Sequence, residues 1–585
     1  MILDLLEGQH TPWLPEKARG LTKKILAMDR LEELYRHASA NCTTAETFCK
    51  EVLHALAVRY EMEEADLSRI PKTGPVLLVA NHPFGLLEGL ILSAELPRVR
   101  TDSKVMANAI LSSVPQLQET MFFVDILSGK DATRKNIRPL HDSLQWLRAQ
   151  KGLLAMFPSG AVSAWSWKRA AITDQTWNSC AARLAMKSGA TVVPVYFEGS
   201  NSLPFYLAGI IHPSLRTLRL PAELANKQGA KIKLRVGTPI PPEELSAVGD
   251  ADRVTEYLRG RTYALGFRSK QTRQKPKSFH TPVVSPTAVY TMRKEIAELS
   301  SSSILAESGP LQVILARARQ IPAVLTELGR LREVTFREAG EGTGRRVDLD
   351  WFDLNYDHLI LWNRKQHEVA GGYRLARTTE ILNRIGQSGL YTDTLFQFKP
   401  GFFEQLGPAV ELGRSFVAPA YQKQYGPLLL LWKGILRYVM LYPGHSKLFG
   451  AVSISSDFTP ESRRLVVEYL HRQSRNHPLR KLVKPRNPFR PKPHLEDELD
   501  RVSGLIDSLD GLSGLVNDLE SAERGIPVLL RQYAKMGGLV LAFNVDENFS
   551  NVLDGLIVVD LNLSEAGFLR RYGYQRYTAK QQIDA

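Results

Sequence analysis

The feature that most limits what this chain can fold into is a five-residue apolar run, Val76-Leu77-Leu78-Val79-Ala80, that ends abruptly in Asn81-His82-Pro83-Phe84-Gly85. A run this short, following a Thr73-Gly74 turn, is too brief for a core helix and reads as a strand buried on both faces. The texture returns at Leu153-Leu154-Ala155-Met156-Phe157 and at Thr191-Val192-Val193-Pro194-Val195-Tyr196, with helical patterns over 138–150 and 179–188 between. Strands alternating with helices predict an α/β domain with a mostly parallel sheet covered on both faces.

Upstream, Leu31, Leu34, Tyr35, Val52, Leu53, Leu56, Ala57 and Tyr60 fall at helical spacing, so 1–70 is expected to be a helical segment. The sheet domain is then expected over 71–267. From 268 to 290 the residues are mostly Lys, Arg, Gln, Ser, Thr and Pro, the composition of a basic linker. A second α/β domain is expected over 291–585. It contains strand-like runs at His358-Leu359-Ile360-Leu361-Trp362 and Ala451-Val452-Ser453-Ile454-Ser455. Thr459-Pro460-Glu461 then supplies an N-cap, a first-turn proline and an early acid for a helix.

An insertion over 471–523 interrupts that second domain. Residues 471–494 hold eight Lys or Arg, five prolines and no acid, whereas 495–523 hold nine acids. In the acidic part, Leu499, Val502, Ile506, Leu509, Leu512, Val516 and Leu519 are spaced like an amphipathic helix. The basic part reads either as a solvated loop or as a finger for anionic lipid or an acidic carrier.

The formal charge of +14 draws the chain toward polyanions: nucleic acid, an anionic membrane leaflet or an acidic carrier protein. No zinc-finger spacing, RNA-recognition aromatic motif or helix-turn-helix pairing accompanies it, so no nucleic-acid partner is expected. Cys42, Cys49 and Cys180 form no metal-ligand or disulfide pattern, which fits a reducing compartment. Residues 1–9 lack the basic head of a secretory signal. The apolar stretches 75–96 and 428–442 are broken by charges, so any meeting with a membrane is expected to be peripheral, on the inner face of the cytoplasmic membrane.

His82 stands just past a strand end, where α/β sheets place ligands, and Glu88 follows it by six residues. A carboxylate behind an imidazole fixes the tautomer and stabilises the imidazolium, while the far nitrogen takes a proton from an attacking hydroxyl. With Phe157-Pro158-Ser159-Gly160-Ala161-Val162-Ser163 and Val193-Pro194-Val195 before Glu198-Gly199-Ser200-Asn201-Ser202, this region resembles the glycerolipid acyltransferase family, in particular its haemolysin-like branch. The resemblance covers about 40–265. It implies that His82 and Glu88 are catalytic and that Phe157, Pro158, Ser159 and Gly160 line the substrate site. Family members that acylate glycerol phosphate carry Phe-Pro-Glu-Gly-Thr-Arg. Here Ser159, Ala161 and Val162 stand there, so the phosphate-holding arginine is missing, and Arg134, Lys135 or Lys168 would have to replace it. A different lipid hydroxyl is therefore the expected acceptor.

Downstream, Arg332 and Phe336 precede Asp348-Leu349-Asp350-Trp351-Phe352-Asp353, then Gly371-Gly372-Tyr373-Arg374-Leu375 and Glu411-Leu412-Gly413-Arg414. Acids and arginines buried in strand-like runs require partners, and Asp350, Asp353, Glu411, Arg332, Arg374 and Arg414 are expected to pair among themselves. The pattern resembles the GNAT-superfamily branch of ornithine-lipid N-acyltransferases and acyl-homoserine-lactone synthases, over about 310–575. The resemblance implies amine acylation. Glu411 or an acid of the Asp348–Asp353 run would take the proton, and Arg332, Phe336, Asp350, Asp353, Arg374 and Arg414 would bind substrate. The segment Tyr421-Gln422-Lys423-Gln424-Tyr425-Gly426-Pro427 is a poor pyrophosphate nest, because Pro427 lacks an N–H. That favours acyl-carrier protein over acyl-CoA as thioester donor.

The two domains in this order resemble the bifunctional ornithine-lipid synthases. The expectation is N-acylation of an amino acid with a 3-hydroxyacyl chain by the second domain, then O-acylation of that hydroxyl by the first. No metal or prosthetic group is expected. Alternatives left open are a glycine-lipid or lysophospholipid acyltransferase, and a basic nucleic-acid- or membrane-binding protein whose acyltransferase sites have decayed.

Overall fold

The computed structural model describes residues 28–40, 42–125, 132–149, 151–167, 169–268, 281–424, 426–491, 497–520 and 524–574. The expectations placed on 1–9, Lys168, Tyr425 and most of the linker lie outside the described residues. The chain forms two compact units, one of 1–269 with 494–525 and one of 270–493 with 526–585.

The first unit is built on a seven-stranded sheet. Its strands are β1 (Arg59–Glu61), β2 (Val76–Ala80), β3 (Ser103–Asn108), β4 (Met121–Val124), β5 (Leu153–Met156), β6 (Thr191–Glu198) and β7 (Lys231–Val236). They lie in the order β1-β7-β6-β2-β5-β3-β4. Every pair is parallel except β6 with β7. β2 is central and every residue of it is buried, as an uninterrupted apolar strand in a covered parallel sheet should be.

Helix Ala45–Ala55, N-capped by Thr44, places Phe48, Cys49, Val52 and Leu53 in the same core as Val76, Leu78 and Ile91. The helices of the expected 1–70 segment are thus part of the sheet domain and share its core.

Helices Asp497–Leu505 and Leu509–Leu519 also belong to this unit, and not to the second domain into which their sequence position puts them. Ser508 caps the second helix by accepting from Gly511 N at 3.0 Å and breaks what reads as one helical pattern into two. Val502 closes on Gly260 so tightly that a Cβ there would sit 2.6 Å from the valine Cβ. Asp518, fully buried, accepts from Arg261 Nε at 2.9 Å and Nη2 at 2.7 Å, and from Thr238 N at 2.6 Å. The amphipathic pattern specified an apolar face; complementarity on the helix Ala251–Ala264 chose where it went.

The linker is shorter than 268–290. Arg268 Nη1 donates to both oxygens of buried Asp66 at 2.6 and 2.7 Å, which anchors it in the first unit. Val284 N donates to Arg346 O at 3.0 Å and Thr287 N to Glu327 at 2.9 Å, which ties those residues to the second.

The main sheet of the second unit has eight strands: β8 (Ile304–Ser308), β9 (Leu311–Arg317), β10 (Asp357–Asn363), β11 (Glu368–Arg377), β12 (Ala409–Val417), β13 (Lys447–Ile454), β14 (Leu539–Asp546) and β15 (Val552–Asp560). Their order is β8-β9-β10-β11-β12-β13-β15-β14, and only β12 and β13 run parallel. That pairing stops after Leu412↔Gly450, although both strands continue. Beyond it β12 stays with β11 and β13 with β15, so the sheet opens in a wedge. Arg414, at φ +49°, and a register shift opposite it form a bulge on the β12 side of the wedge. Helix Pro460–Gln473 starts at Thr459, whose side chain accepts from Ser462 N, as its sequence predicts.

Candidate functional site

The first site forms at the C-terminal ends of β2 and β5. Asn81 ties the end of β2 to β6, its amide donating to Phe197 O at 3.0 Å and accepting from Phe197 N at 2.7 Å. His82 therefore leaves the sheet in a fixed direction, and its ring stacks on Phe157 with centroids 4.4 Å apart. Glu88 lies in the first turn of helix Leu87–Glu95 and is completely buried. It accepts from Phe84 N at 2.6 Å and from Gly85 N at 2.9 Å. This folded loop needs Gly85, whose φ is +105° and whose absent Cβ would meet Leu220 at 2.7 Å and Val162 at 3.0 Å.

His82 Nδ1 lies 3.4 Å from Glu88 Oε1, a close ion-pair distance slightly long for a hydrogen bond, and the ring keeps 15% exposure. With Nδ1 turned to the carboxylate, Nε2 is the nitrogen left to accept a proton. Burial disfavours the imidazolium, but Glu88 and then Asp174 outweigh it and raise the His82 pKa. Burial likewise opposes the Glu88 charge, and His82 with the Phe84 amide overcomes it, so the carboxyl titrates below its ordinary value.

Asp174 is a residue that local sequence reading does not find. It accepts from His82 N at 3.1 Å, from Ser163 Oγ at 2.6 Å and from Trp177 Nε1 at 2.9 Å. It thus locks the histidine backbone to the Ser163 loop, and no pattern near position 174 announces it.

Pro158 O accepts from Asn178 N and Nδ2, Ser159 Oγ donates to Ala161 O at 2.7 Å, and Gly160 turns the chain at φ +61°. Val162, where a phosphate-binding arginine would stand, is sealed in an apolar cluster with Phe205, Tyr206 and Leu220. Arg134 lies exposed on helix Ala132–Arg148 and makes no bond to the His82 cluster among the described residues, while Lys135 pairs with Asp125 at 3.0 Å.

The second site lies by the wedge of the other unit. Asp350 and Asp353 cap the short turn Trp351–Leu354 reciprocally, which sets their carboxylates side by side. Arg332, on helix Pro322–Glu338, donates to Asp353 at 2.7 Å. Arg374 donates to Asp350 at 2.6 Å and lies 3.3 Å from Asp353. Arg414 lies 3.1 Å from Asp348 and 3.8 Å from Asp350. Five of the six residues expected to pair among themselves are therefore together. Arg332 and Arg374 are wholly buried and each keeps Nε and Nη2 without a hydrogen-bond partner among the described residues, whereas Arg414 is 13% exposed. Tyr391 joins the two layers: both Arg374 and Arg414 lie over its ring, at 5.1 and 5.0 Å.

Glu411 is the sixth, and it pairs differently. Both its oxygens are occupied, by Tyr356 OH, by Thr392 N at 2.7 Å and by Tyr391 N at 3.2 Å. Burial raises its pKa against those donors. Phe336 packs edge-on against Phe549, 5.2 Å between centroids. A further carboxylate, Asp554 on β15, accepts from Ser453 Oγ at 2.7 Å. Burial pushes its pKa up to about 7, the range in which a carboxylate can take a proton near neutrality. Its sequence context, an apolar strand, hides it.

Comparisons with known proteins follow this division. Residues 19–270 match the family model described as acyltransferase, and 331–432 match the acetyltransferase (GNAT) domain. A glycine N(alpha)-acyltransferase of Bacteroides thetaiotaomicron is 30% identical over 218 residues, 35% of this chain and 64% of that protein. The chain thus spans less than two thirds of that relative's length. An L-ornithine N(alpha)-acyltransferase of Rhizobium meliloti is 26% identical over 50% of this chain and 93% of its own. A lyso-glycine lipid O-acyltransferase of Phocaeicola vulgatus is 23% identical over 45% of this chain and 93% of its own.

Proposed function

We propose that this chain, an acyl-transferring enzyme that joins an acyltransferase domain to a GNAT domain, builds a diacylated amino-acid lipid in two steps. In the first, the amine of ornithine or a similar amino acid attacks the thioester of a 3-hydroxyacyl donor at the second unit. Arg414, the guanidinium of its cluster that keeps some exposure, holds the carboxylate, with Arg374 and Arg332 fixing Asp350 and Asp353 beneath it. Glu411 or Asp554 takes the ammonium proton, directly or through water, and as the amide forms the carbon–sulfur bond breaks and the carrier leaves as its thiol, protonated by the nitrogen's second proton. In the second step, His82 removes the proton of the 3-hydroxyl as that oxygen attacks a second thioester, and Glu88 stabilises the imidazolium. The imidazolium then returns its proton to the departing thiolate.

The observation that carries this reading is Val162. An acceptor bearing a phosphate dianion would meet a sealed apolar cluster where its arginine should be, whereas a phosphate-free lyso-aminolipid needs no charge there. The donor is acyl-carrier protein, since Pro427, the second residue of helix Gly426–Leu441, has no N–H to offer a pyrophosphate. No described helix is long and apolar enough to cross a membrane, and the enzyme works from the bilayer surface. Glycine is the second acceptor reading, favoured by the name of the 30%-identical relative.

The test is mass spectrometry of lipids from a host lacking aminolipids that expresses the wild type, His82→Ala or Glu411→Ala. The expected pattern is diacylated product, accumulated monoacyl product and neither, respectively; the amino acid in the product distinguishes ornithine from glycine. Acylation of lysophosphatidate alone would overturn the reading.

A further inference from the structure

Helix Leu203–Ile211 has the polarity of a surface helix reversed. Leu203, Leu207, Ile210 and Ile211 recur at i, i+4, i+7 and i+8, which places them on one face. That face is turned outward: the four are 50–77% exposed, and the helix contains no charged residue. An outward helical face is normally the polar one, because exposed apolar area is left unfavourably in water. Strand Ala164–Ser166 of a short hairpin packs beside this helix, and the hairpin exposes Trp165 and, at 77%, Trp167.

The inward face of the same helix is fastened to the His82 loop. Phe205 and Tyr206 are buried with Val162. Tyr206 OH accepts from Asn201 N at 2.9 Å, and Asn201 Nδ2 donates to Phe84 O at 3.2 Å. Charge follows the same direction. From Asn201 to Ala222 the chain has no acid, while Arg216, buried in the next helix, and the partly exposed Arg219 follow. Arg216 runs along Gly209, where a Cβ would lie 3.1 Å from its Cδ. Neither arginine has a carboxylate at ion-pair distance among the described residues.

We propose that the outward face of helix Leu203–Ile211, with the Trp165–Trp167 hairpin and the partly exposed Arg219, is the surface by which the first unit docks on a bilayer containing anionic phospholipid. Nine residues reach about 14 Å, half of a hydrocarbon core, so the helix lies in the interface and does not cross it. Its leucines and isoleucines enter the acyl boundary, tryptophan takes the interfacial position it favours, and lipid phosphate supplies the counter-ion Arg219 lacks. A bilayer fits better than a protein partner because this helix also braces the His82 loop, so docking puts the O-acylation site at the lipid surface. That last step rests on the lyso-lipid reading above; the geometry and charge of the face do not.

The test is flotation of the full chain with phosphatidylglycerol-containing and with purely zwitterionic vesicles. Leu207→Glu/Ile211→Glu, both exposed positions, is expected to lower the bound fraction at least tenfold with an unchanged circular dichroism spectrum. Arg219→Gln is expected to weaken binding only to the anionic vesicles and only at low salt. Brominated lipid is expected to quench wild-type tryptophan emission more than that of Trp165→Phe/Trp167→Phe. Wild-type flotation by Leu207→Glu/Ile211→Glu, or equal quenching of the two proteins, overturns the proposal. So does a wild-type dimer that the same glutamates dissociate, which would make this face an interface between copies. Vesicle binding through this face by a chain that makes no aminolipid would leave the surface standing and remove the lipid reading.

Discussion

Replacing Glu88 by Gln keeps the side chain's size and its acceptor oxygen for the Phe84 and Gly85 amides, and removes the charge that faces His82. At 3.4 Å and an effective dielectric near 20, the attraction between that charge and an imidazolium is about 5 kcal/mol. Relaxation and water recover part of it, and a residual of about 3–4 kcal/mol corresponds to roughly 10²–10³-fold in kcat. The effect should fall on kcat and spare KM, because the imidazolium exists only once the hydroxyl proton has moved. The pH dependence supplies a second reading. Acylation requires neutral His82, so the rate rises with pH through the histidine's pKa. Burial pushes that pKa down, and Glu88 opposes it. Without Glu88 the limb should move to lower pH while its plateau falls. Glu88→Asp, shorter by about 1.5 Å, loses roughly 1.5 kcal/mol by the same relation, about tenfold. The assay is acyl transfer to a micellar lyso-aminolipid followed by mass spectrometry from pH 5.5 to 9. An unchanged kcat in Glu88→Gln, or a limb displaced toward higher pH, would refute the role assigned to the pair.

Asp518→Ala should destabilise the first unit by about 2–3 kcal/mol in urea, because it removes the two-point partner of buried Arg261 and leaves it Glu244 at 3.1 Å and the Tyr257 hydroxyl; an effect below 1 kcal/mol would deny that the acidic helices belong to that unit. Asp554 titrates at about 7 in the folded chain against an ordinary 3.8, so the native state holds the extra proton between these values and its contribution to stability falls as pH rises through that window. From pH 5 to 8 the stability of Asp554→Asn should therefore gain on wild type by about 3 kcal/mol, read from urea midpoints at the two pH values. Gly85→Ala forces a Cβ into Leu220 and Val162 at a positive φ, which should cost about 1–3 kcal/mol and lower O-acylation while N-acylation persists. Equal loss of both activities would show that the two sites do not work independently.

Much of the fold is written in short windows. Val76–Ala80 and its two counterparts read as strands because five consecutive apolar residues between turn residues have few other homes. His82 and Glu88 could be paired from sequence because six residues of loop and first helical turn carry one back to the other. The Thr459 cap and the Asp350–Asp353 turn are local in the same sense.

What the tertiary structure decided lies beyond any window. Asp174 reaches the His82 backbone from 92 positions away. Glu411 finds Tyr356 and the Thr392 amide in place of an arginine, because strand register and not residue type sets who stands opposite whom. The acidic amphipathic helices return to the first unit, since periodicity specifies that a face must be buried and leaves its partner to shape and charge complementarity. Helix Leu203–Ile211 shows the same division from the other side. Its composition demands an apolar environment for every face, and only packing reveals that half of it is turned outward. Local propensity and periodicity act over a few residues, whereas long-range partners are selected by the fit of surfaces that exist only once the chain has folded.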